Sequence, residues 1–137
     1  MTKAEQETAR RFAERYRVAP AEVSRRVELA VIGGDWGANG YTTKAQADLL
    51  AARLGLRPEA RLLDLGAGRD WPGLYLAAAT GCQVVLADVP IEGLRAAAGR
   101  ARREGLTGRA GLLAASARAL PLAPATFDAV VHTDVLC

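Results

Sequence analysis

From Arg61 onward the chain alternates short apolar runs with helical segments, and few folds accept that pattern. The runs are Leu62–Leu65, Gln83–Ala87, Ala110–Ala114 and Phe127–His132. Segments at about Leu74–Thr80 and Ile91–Glu104 separate the first three. Strand, helix and strand in succession predict βαβ units and a parallel sheet. The runs are continuous rather than alternating, as suits strands covered on both faces. Between the third and fourth runs lies Ala119-Leu120-Pro121-Leu122-Ala123-Pro124, whose two prolines exclude a long helix.

The first 60 residues read as helical. A charged helix is predicted over residues 3–17, with Phe12 and Tyr16 on one face. A second is predicted from Pro20, in its first turn, to about Ile32, with Val23, Val27, Ala30 and Val31 forming an apolar stripe. Residues 33–40 are a loop by composition, and Thr42 or Thr43 caps a third helix that Gly55 and Pro58 close. The division predicted is an N-terminal helical extension with its entry loop (1–42) and an α/β domain (43–137).

Composition excludes several classes. Of 137 residues 50% are hydrophobic and 24% charged, which suits one folded domain rather than a disordered chain. No run is long and apolar enough to span a membrane, and the charged N-terminus lacks the apolar centre of a signal peptide, so a cytoplasmic location is expected. The net charge of +3 reads as a solvated arginine-rich surface. Nucleic-acid binding would want clustered cations interleaved with aromatics, and Glu104 follows Arg100, Arg102 and Arg103 directly. Cys82 and Cys137 give neither metal spacing nor a disulfide framework, and Cys82 sits where a small buried hydrophobe would.

The first run ends in an acid and opens into a glycine turn, Asp64-Leu65-Gly66-Ala67-Gly68. Glycines there allow close backbone approach to a ligand, and the next helix would begin with its N–H groups facing it. A dinucleotide fingerprint needs a small residue at the sixth position of Gly-x-Gly-x-x-Gly, and Trp71 stands there. An oxidoreductase that binds NAD is thereby disfavoured on sterics. A carboxylate two residues before the first glycine adds nothing for a pyrophosphate but suits an ammonium group.

Asp64-Leu65-Gly66-Ala67-Gly68 resembles motif I of the class I S-adenosylmethionine-dependent methyltransferases. Val84-Val85-Leu86-Ala87-Asp88 is a second strand ending in an acid, about 20 residues beyond the turn, where a carboxylate can take a ribose hydroxyl pair. Ala115-Ser116-Ala117, Leu120-Pro121-Leu122 and Phe127-Asp128-Ala129-Val130-Val131-His132 continue the pattern in the manner of the small-molecule branch that includes the ubiquinone and menaquinone methyltransferases. The resemblance runs from about Tyr41 to the end. It implies a Rossmann-like sheet of order 3-2-1-4, with S-adenosylmethionine across the carboxyl ends of strands one and two, and methyl transfer to a small molecule. It assigns cofactor contacts to Tyr41, Asp64, Gly66, Ala67, Gly68, Asp88, Val89, Ser116 and Ala117, and no metal. Asp64 would help place the methionine ammonium, or else cap the following turn. Asp88 would hold the ribose, or else be an exposed turn acid. Val89 would pack on adenine, and Ser116 would stand where the family usually carries Asp. Tyr41, in Asn39-Gly40-Tyr41-Thr42-Thr43, would close over the methionine end, or else be a half-buried aromatic at a helix entry.

Two features depart from the family. Its turn usually runs Gly-x-Gly-x-Gly, and here the third glycine is Asp70. That side chain either faces the cofactor's own carboxylate or swings out to cap the helix that Pro72 begins, the slightly preferred reading. Arg69 could pair with either carboxylate, and Trp71 reads as a packing residue. The second departure is that the sequence stops soon after the fourth run, where the family's sheet continues. A fragment of a longer enzyme, a second copy or another chain covering the fourth strand, and a degenerate remnant all remain open. A non-catalytic binding module acting through a partner on that strand is the alternative function. No catalytic residue is assigned: His132, the single histidine, is a candidate base, against a plain strand-end histidine bonded to a loop, and Thr133-Asp134 offers equally plausible polar groups.

Overall fold

The computed structural model describes residues 1–38 and 40–134, so Asn39 and Cys137 lie outside the described residues. In chain order the elements are α1 (Lys3–Arg17), α2 (Glu22–Val31), α3 (Lys44–Arg53), β1 (Arg61–Leu65), α4 (Gly73–Thr80), β2 (Gln83–Asp88), α5 (Ile91–Arg103), β3 (Ala110–Ala114) and β4 (Ala129–Val131). The four strands form one parallel sheet in the order β3-β2-β1-β4, as the sequence predicts. Each βαβ crossover moves the chain one strand towards the β3 edge. Two right-handed crossovers in one direction place α4 and α5 on the same face.

That face carries the core. Leu62 of β1, Val84 and Leu86 of β2 and Val131 of β4 are buried there with Leu74, Leu76 and Ala77 of α4 and Leu94, Ala97 and Ala101 of α5. Cys82 is a free, fully buried thiol in this cluster. On the opposite face Val130, register partner of Leu63, is 49% exposed. No helix of the described residues is long and apolar enough to cross a membrane.

Two predicted elements, α2 and β4, need correction. Pro20 stays outside α2, whose N-cap is Ala21. The α2 stripe Val23, Val27, Ala30 and Val31 is exposed, and the residue α2 buries is Glu28. Its Oε1 accepts the backbone N–H groups of Trp36 (2.7 Å) and Ala38 (3.1 Å), so a loop with orphan donors selects an acid over the apolar stripe. β4 is shorter than Phe127–His132. The Asp128 carboxylate itself accepts the Arg61 N–H at 2.8 Å and takes the place of a ladder bond.

The caps of α1 and α3 follow the sequence closely. Thr2 with Glu5 and Thr43 with Gln46 each form a reciprocal capping box. Thr43 thus settles the choice between Thr42 and Thr43, and the Thr42 carbonyl accepts instead from Trp71 Nε1 at 2.9 Å.

Candidate functional site

The site forms where β1 and β2 end. β1 delivers Asp64 to the helix-bearing face, and the chain then turns through Gly66 (φ 74°) and Gly68 (φ 56°). Both lie in the left-handed region that glycine occupies without a Cβ penalty. The turn is bonded to the end of β2. Gly66 N–H and Ala67 N–H donate to the Ala87 carbonyl (2.8 and 3.2 Å), and Gly68 N–H donates to Asp88 Oδ2 at 2.7 Å. Asp88 Oδ1 accepts from Val89 N–H at 2.7 Å.

The first two N–H groups of α4 are satisfied within the protein, contrary to the expectation that they face a ligand. Pro72 has no N–H, Gly73 N–H donates to Asp64 Oδ2 at 2.8 Å, and Leu74 N–H donates to the Asp70 carbonyl at 2.9 Å. Residue 73 must be glycine, because a Cβ there would lie 2.5 Å from Asp64 Oδ2. Asp64, 1% exposed, therefore makes the cap contact that was the alternative to its ligand role. Two buried acids, Asp64 and Asp70, and the half-buried Asp88 now surround a turn whose donors are largely taken. Burial holds the Asp64 carboxyl well above the usual carboxylate range, with Asp88 and Asp70 pushing the same way. Burial also raises Asp88, against its two backbone donors.

Asp70 follows neither sequence reading. It does not cap α4, whose N-cap is Pro72 with no side-chain bond. Its side chain turns towards α5, where Oδ2 lies 2.7 Å from Arg100 Nε. Burial pushes its carboxyl up to about 7, with Arg100 pulling it down. Arg69 does not pair with Asp70. Its Nη2 donates to the carbonyls of Arg15 (3.1 Å), Tyr16 (3.3 Å) and Val18 (2.5 Å), and its guanidinium lies over the Tyr16 ring. Trp71 packs as predicted, stacked on Trp36 at 4.0 Å between ring centroids.

Arg69 brings α1 over the site, which sequence reasoning missed. The Tyr16 hydroxyl lies 3.0 Å from where a Gly68 Cβ would be. Arg17 pairs with Glu92 at the start of α5 (2.6 Å), and Glu5 pairs with Arg118 beyond β3 (2.9 Å). One helix therefore touches the segments following β1, β2 and β3. A groove of about 380 Å³ lies between Met1, Thr2 and Glu5 and the loop of Ser116, Arg118 and Ala119. Only the separated charges of these residues could have signalled the contact.

The remaining predicted site residues are more scattered. Ala67 is buried in the turn, and Val89 is half-buried beside Asp88. Ser116 is half-buried at the groove, and its hydroxyl accepts the Arg118 N–H at 3.3 Å; Ala117 is exposed. Tyr41 is 84% exposed and not the half-buried aromatic of the alternative reading. Thr42 is tied inward to Trp71 and, through its N–H and hydroxyl, to Asp134 Oδ2 (3.2 and 2.9 Å), which leaves position 41 facing out. His132 is exposed just past β4.

A family model described as a methyltransferase domain matches residues 62–137, more than half of the chain. Among solved structures, an S-adenosylmethionine-dependent methyltransferase from Geobacter sulfurreducens, in complex with S-adenosyl-L-homocysteine, superposes with a TM-score of 0.64 at 20% identity, over 80% of this chain and 43% of that one. A second such enzyme, from Thiobacillus denitrificans and in complex with the same ligand, gives 0.62 at 21% identity, over 84% and 44%. The [4+2]-cyclase SpnF gives 0.61 at 26% identity, over 82% and 48%. This chain spans less than half the length of each. No curated protein matches it.

Proposed function

The chain belongs to the methyltransferase-domain family, and we propose that it binds S-adenosylmethionine across the carboxyl ends of β1, β2 and β3 and directs methyl transfer to a small-molecule acceptor. The observation that carries this reading is the charge of the turn. Asp64 and Asp88 are both at least partly buried there, Asp70 is drawn off to Arg100, and the turn and helix donors are largely taken. A pyrophosphate would meet carboxylates and few N–H groups. A ligand bearing a sulfonium and an ammonium against one carboxylate is a net cation, and its charge offsets the burial that now raises these acids.

The residues present fit that cofactor. Gly66 leaves its backbone open to close approach, while Gly68 lies against the Tyr16 hydroxyl. A carboxylate offers about four lone-pair sites, and the backbone uses two on Asp88, so two ribose hydroxyls can still donate to it. By the family resemblance Ser116 and Val89 would meet the adenine, and Tyr41 would have to fold inward to reach the methionine end. Bound S-adenosylmethionine supplies a methyl group already activated by positive sulfur. The protein's share is then alignment and exclusion of water, for which no dedicated nucleophile is needed. Tyr16 and the rest of α1 shield the turn. For a weakly acidic acceptor, the His132 imidazole, beyond the carboxyl end of β4, is the group placed to accept a proton.

Leu120-Pro121-Leu122 and Phe127-Asp128-Ala129-Val130 support the small-molecule branch of the family. SpnF, named a [4+2]-cyclase, has a similar fold, so the acceptor chemistry has to be measured for this chain rather than inherited. A partner along β4, whether a second copy or further chain, belongs to the same proposal, and concentration-dependent sedimentation is its expected sign.

Titration calorimetry with S-adenosyl-L-homocysteine tests the site. Binding is expected, and Asp88→Ala should weaken it by roughly 1.5–3 kcal/mol for each hydroxyl bond lost. An affinity unchanged in Asp88→Ala would remove the ribose assignment. Absence of heat at millimolar ligand would remove the cofactor.

A further inference from the structure

Asp70 is an anomaly at the centre of the turn. It stands where the family pattern has its third glycine, and it keeps a backbone suited to glycine, with φ at 151°. Its side chain is 3% exposed. Oδ1 is buried and has no hydrogen-bond partner among the described residues. The carboxylate therefore depends on a single contact, Oδ2 to Arg100 Nε at 2.7 Å. Other acids stand nearby: Asp64 from β1, Glu28 from α2 and Glu104 from α5. Arg100 is the cation among them. Its guanidinium also donates through Nη2 to the Asp35 carbonyl at 2.8 Å, and Nη1 lies 3.4 Å from Glu104. One side chain of α5 thus joins the turn, the loop after α2 and its own helix.

We propose that Arg100 is a positioning residue for the cofactor turn: by drawing the Asp70 carboxylate against α5 and away from Gly66 and Gly68, it lets an aspartate serve where the family has glycine. Without that cation the Asp70 carboxyl loses its one partner among nearby acids, and it must either take up a proton or, where it stays charged, rotate and solvate towards the open side of the turn. That is the side from which a ligand carrying its own carboxylate would approach. The part of this inference that concerns ligand affinity rests on the cofactor reading above. The part that concerns turn geometry does not.

Three variants separate the two: Arg100→Met, Asp70→Gly and the double variant. Amide hydrogen exchange at Gly68 and Asp70, whose N–H groups are bonded to Asp88 and to the Ala67 carbonyl, reads the turn without ligand. Arg100→Met should lose protection at both at least tenfold. Asp70→Gly should stay within threefold of the parent, and the double variant should recover to the level of Asp70→Gly. Calorimetry with S-adenosyl-L-homocysteine should follow the same order. If Arg100→Met does not fold, Arg100→Lys takes its place, since one ammonium cannot hold both Asp70 and the Asp35 carbonyl as the planar guanidinium does. A threefold or greater loss, rescued by Asp70→Gly, is then expected. Parental protection in the Arg100 variant, or a double variant as impaired as the single one, would overturn the proposal. Failure of the parent protein to bind the ligand, with the exchange pattern as described, would count against the cofactor reading alone.

Discussion

Asp70 gives the turn a titration of its own. In the unfolded chain an aspartate releases its proton near pH 3.9, whereas burial holds this one up to about 7. The folded state therefore binds more protons than the unfolded state across that window, and stability falls as pH rises through it. Asp64 and Asp88 are raised in the same direction. Glu5, Asp48 and Glu92 are lowered and work the opposite way, through single contacts at the surface that count for little. The shift at Asp70 sets a ceiling of about 4 kcal/mol on its share. Denaturant unfolding at pH 5 and pH 8 should show lower stability at pH 8, and Asp70→Asn should lose less between the two. Equal losses in parent and variant would contradict the assignment. Trp71 is the other residue to test at this scale. Stacked on Trp36 and bonded to Thr42, it should cost about 3–5 kcal/mol on replacement by Ala, read as a fall in the denaturation midpoint.

Among the elements, those that build the sheet were legible and those that cover it were less so. Leu62–Leu65 and Val84–Ala87 are short, β-branched or leucine-rich, and bounded by glycine or proline, so local pattern and tertiary packing agree. In α2 they disagree. A stripe at helical spacing promised burial, yet the loop after α2 needed acceptors, and Glu28 faced inward to supply them. No periodicity reports that need. α1 escaped for a related reason. It buries no residue fully and is held by Arg69, Glu92 and Arg118, contacts far away in sequence and weak singly. Such a helix belongs to the least stable part of the fold. Amides of α1 should therefore exchange much faster than those of β1 and β2. Arg69→Met should speed them further while shifting global stability by no more than about 1 kcal/mol. Unchanged α1 exchange in that variant would show that Arg69 does not anchor it.

For the molecule as a whole, strand order 3-2-1-4 followed from the family resemblance carried by the successive strand-end motifs. The site within that fold was legible as a set of residues but not as a set of bonds. Asp64, Gly66, Ala67, Gly68 and Asp88 do gather at the ends of β1 and β2. Their sequence positions could not tell that Asp64 would cap α4 or that Asp70 would turn to α5, because both depend on which buried donor or cation lies nearest in space. Tyr41 and His132 stay at the periphery, exposed. The proposed cofactor binding rests on charge: an acid-lined, donor-poor turn should take a cationic adenosyl ligand and refuse a pyrophosphate. Calorimetric titration of one preparation with S-adenosylmethionine and with NAD tests it most directly. Saturable heat with S-adenosylmethionine and none with NAD at the same millimolar concentration is the predicted result. Binding of NAD, or heat from neither ligand, would contradict it.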